Sequence, residues 1–195
     1  MVLFSSASDC VYTSCYCEEN VWHLCDSVRQ NHPAVLDNCY CIFISNRDRT
    51  VPLWEQKASN AEDGVVLWDY HVIFIHCDGN ECLVYDLDSR LDFPCNILTY
   101  IEKGILSCDH LKPQYKRLFR VIPAPLYLKT FASDRTHMLD KDKKWMKPPP
   151  SYPCIKTEAS TNNIDDFINM DFTVGVGEVM NSTQFCEKFL KRSRT

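Results

Sequence analysis

The sequence predicts an α+β fold in which helices flank an antiparallel sheet, with a Cys at a helix N-terminus. Three observations carry this. Two β-rich runs meet at Asp78-Gly79 within Trp68–Asp88, a helical stripe follows Cys17, and further short strands alternate with turn signals along the chain. At 195 residues and 45% hydrophobic content, the chain is the size of one domain with a well-buried core, so residues 1–195 are expected to form a single catalytic domain.

The elements follow in order. In EENVWHLCDSVRQ, Val21, Leu24, Cys25 and Val28 recur at i, i+3, i+4 and i+7, the buried stripe of an amphipathic helix. Glu18 and Glu19 fall in its first turn, where the helix dipole favours acidic groups. Tyr40–Ser45 reads as a strand, Val51–Trp54 as a shorter one after the turn Arg47–Thr50, and Asn60–Gly64 as a loop. Ile97, Ile101 and Ile105 suggest a short helix ending near Cys108. Phe119–Leu128 reads as a strand, and Pro123 and Pro125 make it an edge or bent one. Phe131–Met138 is a polar loop that suits a site wall, and Pro148-Pro149-Pro150 enforces an extended path. Asn162–Asn169 and Thr183–Lys191 close the chain as short helices, the second burying Phe185 and Phe189. The basic run Lys188–Arg194 reads as a solvated tail.

The Asp-Gly hairpin is the strongest local signal, because a two-residue type I′ turn needs φ > 0 at both central positions. With Asp78 and Gly79 as the loop, Cys77 faces Asn80, Ile75 meets Cys82, Ile73 meets Val84, and His71 lies opposite Asp86. Cβ atoms of such a pair are about 5 Å apart. A carboxylate so placed fixes the tautomer and orientation of a catalytic histidine. Asp69 and Asp88 share that face and compete with Asp86. A one-residue change of the turn would also turn one strand over.

Cys17, just before the helix, is the best-placed nucleophile. Helix N–H groups and the dipole stabilise a thiolate there and lower the thiol pKa. Cys15 is its rival. The net charge of −5 and pI near 5.6 argue against a nucleic-acid surface. No run approaches 18 apolar residues, and the N-terminus lacks a basic n-region. The expectation is therefore a soluble, intracellular protein, placed in the cytoplasm with the nucleus also open to it, and monomer is the default. Twelve cysteines, several within apparent strands and helices, read as reduced core thiols. Their N-terminal C-x-C spacings disfavour structural zinc, and no metal site is expected.

The strings CVYTSCYCEENVW (Cys10–Trp22), FISN (Phe43–Asn46), WDYHV (Trp68–Val72), YDLD (Tyr85–Asp88), FASDRTHM (Phe131–Met138) and PPPSYPCI (Pro148–Ile155) resemble the N-terminal glutamine amidohydrolases over almost the whole chain. The chain order Cys, His, Asp is similar to that of the papain-like and transglutaminase-like thiol hydrolases and implies a papain/transglutaminase-like core, and the closer resemblance implies a Cys17, His71 and Asp86 triad that deamidates the side chain of a protein's N-terminal glutamine without a cofactor. It implies ammonia release through a Cys thioester and an N-terminal glutamate that feeds N-degron degradation. Val176, between Gly175 and Gly177, departs from an expected Trp. Restriction to the first residue requires an α-ammonium site, for which Glu18, Asp69, Asp88 and Asp134 are candidates. A thiol protease or transglutaminase acting on internal sites, and a zinc or proline-mediated interaction module, are the competing readings.

Overall fold

The computed structural model describes residues 1–79, 81–106 and 111–190. Helix α1 (Cys17–Asn31) buries Val21, Leu24, Cys25 and Val28, the expected stripe. Strand β1 (Cys39–Ser45) lies inside a six-stranded antiparallel sheet with β4 (His71–Asp78), β5 (Glu81–Tyr85), β6 (Cys95–Asn96), β7 (Leu118–Pro123) and β8 (Glu178–Asn181). The sheet order is β6-β5-β4-β1-β7-β8. Strands β2 (Val51–Leu53) and β3 (Val66–Trp68) form a separate two-stranded ribbon. Helices α3 (Ala124–Thr130) and α4 (Ile164–Ile168) join α1 on one face of the sheet, over Val72, Phe74 and Tyr85. Helices α2 (Ile97–Tyr100) and α5 (Ser182–Leu190) cover the other face, where Ile42, Ile73 and Val84 pack with Tyr100, Phe185 and Phe189. Strand β4 is buried on both faces, so it reads as a continuous apolar run.

The central hairpin forms with a different register. Ile75 pairs with Val84, Cys77 with Cys82 and Asp78 with Glu81, so Asp78 belongs to the strand and Gly79, at φ 57°, to the turn. Asn80, expected opposite Cys77, lies outside the described residues. Each partner is two residues along from its expected position, and an even slip preserves the face. His71 and Asp86 therefore stay on the same side. The new register also sets Cys77 directly against Cys82 with Cα atoms 4.1 Å apart, and the two are joined as a disulfide. This corrects the expectation of reduced thiols for that pair, while Cys17, Cys25 and Cys41 are free thiols.

Phe119–Leu128 is not one bent edge strand. Strand β7 lies between β1 and β8 and ends at Pro123. Pro125 then sits in the first turn of α3, where its missing N–H costs nothing. The Ile97–Ile105 helix is a single α-turn capped by Asn96, followed by a π-type turn over Ile101–Ile105. The end expected near Cys108 lies outside the described residues, as do Lys191 and the remainder of the basic tail. No helix among the described residues is long and apolar enough to cross a membrane.

Two buried arginines hold the long C-terminal connections. Arg120 donates to the carbonyls of Asn169, Val174 and Val176, fixing the loop in which Gly175 adopts φ 88°. Arg135 forms a bidentate pair with Glu19, a residue of α1, and donates to the carbonyls of Pro150, Tyr152 and Pro153. The triple-proline segment is thereby strapped against the N-terminal end of α1.

Candidate active site

The site lies where α1 meets the start of β4. Asn20 anchors the approach to the helix, accepting from the Thr13 N–H and donating to its carbonyl. The chain then passes through Cys15, at φ 68°, into a helix whose first residue is Cys17. No side chain caps that helix end, so its first N–H groups face outward without intrahelical partners. A cavity of about 340 Å³ opens here, lined by Cys15 and Cys17, by Trp68 to His71, by Asp88, and by His137 and Met138 from the Phe131–Met138 loop.

His71 is fully buried, and its Nε2 is 3.0 Å from Asp86 Oδ1. Asp86 Oδ1 also accepts from the Asp88 backbone N–H at 3.0 Å, and its Oδ2 accepts from the Tyr100 hydroxyl at 2.8 Å. Both carboxylate oxygens are thus held, and an Nε2 proton shared with Asp86 leaves His71 Nδ1 as the basic atom. That Nδ1 is buried without a hydrogen-bond partner. The Trp68 indole stacks on the imidazole at 5.3 Å between centroids and 20° between planes. Burial disfavours the imidazolium, but the Asp86 carboxylate and its hydrogen bond outweigh burial and raise the His71 pKa. Burial likewise opposes the Asp86 charge, and the His71 and Tyr100 contacts reverse it, so the Asp86 pKa falls.

Cys17 departs from its expected behaviour. Its thiol is pushed well above the ordinary range, first by burial and then by the charges of Glu18 and Asp88. The helix terminus is outweighed because the side chain is only 8% exposed and Glu18 Oε2 lies 3.7 Å from Sγ. At neutral pH the resting group is a thiol.

The candidates for ammonium recognition separate clearly. Asp88 and Asp69 line the cavity. Glu18 does not. Its buried carboxylate accepts from the Tyr70 hydroxyl at 3.0 Å and lies 3.4 Å from His137 Nε2. Asp134 is also absent from the wall, because its Oδ1 is taken by the Thr136 N–H and the Asn162 amide, which fold the turn. The polar loop does reach the site, through His137 and Met138 instead. Val176 packs against the α1-side core, away from this wall. Trp68, Tyr100 and His137 were not singled out in the sequence, although Trp68 and His137 lie within the strings that carry the resemblance.

The residues that could grip a cation are His71, Asp86 and Asp88, whose donor atoms lie within 4.8 Å of one another. Several of those lone pairs are already engaged. Asp86 holds three donors, and Asp88 Oδ1 accepts from the Tyr12 hydroxyl at 2.6 Å. The N-terminal cysteines contribute to no such group among the described residues.

A family model described as N-terminal glutamine amidase matches residues 12–189. The chain is 50% identical over 190 residues to a protein N-terminal glutamine amidohydrolase of Drosophila melanogaster, covering 97% of this chain and 93% of that one. It is 48% identical over 189 residues to the Danio rerio protein of that name, covering 96% and 93%. With the Bos taurus protein of that name, identity is 49% over 181 residues, covering 92% and 87%.

Proposed function

Since the chain belongs to the N-terminal glutamine amidase family, we propose that it converts a glutamine at the first position of a protein or peptide to glutamate with release of ammonia, and that Cys17, His71 and Asp86 carry the reaction. The observation that carries the assignment of residues is the His71–Asp86 pair, which leaves His71 Nδ1 without a hydrogen-bond partner, with His71 and Cys17 both lining the same cavity.

In this reading the γ-carboxamide enters beside Sγ. Because burial keeps Cys17 protonated, His71 Nδ1 takes the thiol proton as sulfur bonds to the amide carbon. Negative charge gathers on the carboxamide oxygen, and the backbone N–H groups that open α1 are its donors. One such donor is worth about 10²–10³ in rate. The carbon–nitrogen bond then breaks, and the proton held on His71 leaves with ammonia, giving a Cys17 thioester. His71 next takes a proton from water as its oxygen attacks the thioester, then returns it to sulfur, releasing glutamate and the free thiol. Asp86 steadies the imidazolium throughout, oriented by Tyr100 and the Asp88 N–H.

The layer order, a Cys-bearing helix on an antiparallel sheet whose strand supplies the His, supports a papain/transglutaminase-like core. The cycle needs no cofactor and is complete within one chain, so a monomer suffices, and we place it in the cytoplasm. The new N-terminal glutamate is, on this reading, material for arginylation and N-degron degradation.

The test is ammonia release from two peptides of matched composition, one beginning with Gln and one carrying it internally, with wild type and Cys17→Ala. Release from the first peptide alone, lost in Cys17→Ala, is the expected result. Equal release from both would favour a transglutaminase-like enzyme, and release from neither would refute the proposal.

A further inference from the structure

We infer that Asp88 receives the α-ammonium of the substrate and thereby confines the reaction to a glutamine at the first position. The inference deepens the deamidation proposed above and rests on it. An ammonium that enters a cavity loses water and needs an anionic partner there. Three carboxylates line the wall that Cys17 shares: Asp69, Asp88 and Asp165. Asp165 is exposed and paired with Arg49 at 2.7 Å. Asp69 is exposed, and its Oδ1 accepts from the Tyr70 N–H. Asp88 is 8% exposed and belongs to no ion pair among the described residues. The nearby Lys57 gives its ammonium to the Leu87 carbonyl. Asp88 is therefore the buried carboxylate on this wall that belongs to no ion pair among the described residues: burial raises its pKa, and its cationic neighbours, His71 and Lys57, are engaged with Asp86 and the Leu87 carbonyl.

Its position fits the length of the substrate. In glutamine the α-nitrogen lies about 5 Å from the amide carbon when the side chain is extended. The Asp88 carboxylate lies within 4.8 Å of the ligand atoms of His71 and Asp86, so an ammonium held by it stays within a glutamine side chain's reach of the reacting groups. The Tyr12 hydroxyl fixes Oδ1 at 2.6 Å, and Asp88's own backbone N–H is tied to Asp86, so the carboxylate is aimed from a rigid base. An internal glutamine brings a neutral peptide group to the same place and leaves Asp88 uncompensated.

The arrangement also links recognition to reactivity. The Asp88 charge opposes ionisation of the Cys17 thiol, and an ammonium docked on Asp88 cancels that opposition. A free α-amine thus readies the nucleophile that attacks its own side chain.

The experiment compares a Gln-initiated peptide with its desamino analogue, in which hydrogen replaces the α-ammonium, using wild type and Asp88→Asn. Wild type is expected to favour the amine strongly. In Asp88→Asn the KM for the amine peptide should rise by about 10- to 100-fold, the loss of one charge-assisted contact, while kcat/KM for the desamino analogue does not fall. Retained discrimination would overturn the inference. So would an equal fall on both peptides, which would make Asp88 a support for His71, or a collapse of discrimination in Asp69→Asn instead. Should Asp88→Asn not fold, Tyr12→Phe keeps the carboxylate but frees it to turn. A several-fold rise in KM for the amine peptide alone is then expected, and no change would count against the assignment. A wild type inactive on both peptides would overturn the deamidation itself.

Discussion

Replacing Arg135 with Met should destabilise the protein by about 3–5 kcal/mol, the range for removing one partner of a buried ion pair. Glu19 is fully buried, and Arg135 is its partner through Nε at 2.9 Å and Nη2 at 2.8 Å. The same guanidinium serves the carbonyls of Pro150 and Tyr152 and lies 5.0 Å from the centroid of the Tyr152 ring. Methionine keeps the apolar stem against that ring but leaves a buried carboxylate with no cation. For a chain of this length the loss corresponds to roughly 6–20 °C in Tm. Urea titration followed by tryptophan fluorescence reads it directly. Adding Glu19→Gln to Arg135→Met removes the stranded charge and should recover more than half of the loss, a positive coupling in a double-mutant cycle. A single-variant cost below about 1 kcal/mol, or a double variant that pays both losses in full, would refute the view that this pair straps the Pro148–Pro153 segment to α1. Activity should fall with stability, because His137, two residues on, lines the cavity.

Other outcomes follow from the same contacts. Cys17→Ala should fold normally by circular dichroism and lose at least about 10⁴ in kcat, as expected when the nucleophile of a concerted set is removed. Tyr100→Phe strips a buried hydrogen bond from Asp86 and should cost about 1–2 kcal/mol in urea titration, with a measurable fall in kcat. Asp86→Asn should cut kcat by about 10²–10⁴ through misorientation of His71, and it should alter the pH profile of stability. Because the folded His71 pKa is raised, its pairing contributes fully below the unfolded value of about 6.5 and is lost as pH rises through the folded value. The Asp86 pKa is lowered, so its share is present above about 3.9 and is lost as pH falls through the folded value. Urea midpoints measured from pH 3 to 9 should show both limbs in wild type and neither in Asp86→Asn.

The parts of the fold most legible in the sequence were those with strong periodicity. The Val21, Leu24, Cys25 and Val28 stripe gave α1, and the β-rich runs flanking Asp78-Gly79 gave β4 and β5 with the correct faces. Register was less legible, because Gly79 can occupy either position of a two-residue turn with φ > 0, and only pairing across the sheet decides which. His71 and Asp86 are not directly opposed as expected, but they still meet because the slip was even and kept them on one face. Short strands such as β6 and β8 carry too few residues for alternation to show. At the site, chain order and helix position singled out Cys17, but local sequence could not show that Glu18 and Asp88 would both surround its sulfur in a buried setting. That is why the dipole argument gave the wrong direction for its pKa. Tyr12, Tyr100 and His137 reach the site across long sequence separations from loops and a short helix, where no periodic signal marks them.

The covalent intermediate tests the central claim most directly. Wild-type enzyme mixed with a Gln-initiated peptide, acid-quenched within one turnover and mapped by mass spectrometry, should carry an adduct on Cys17 with the mass of the substrate less one ammonia. The adduct should be absent from Cys17→Ala. An adduct on Cys15, or turnover in Cys17→Ala at the wild-type rate, would contradict the assignment of Cys17 as the nucleophile.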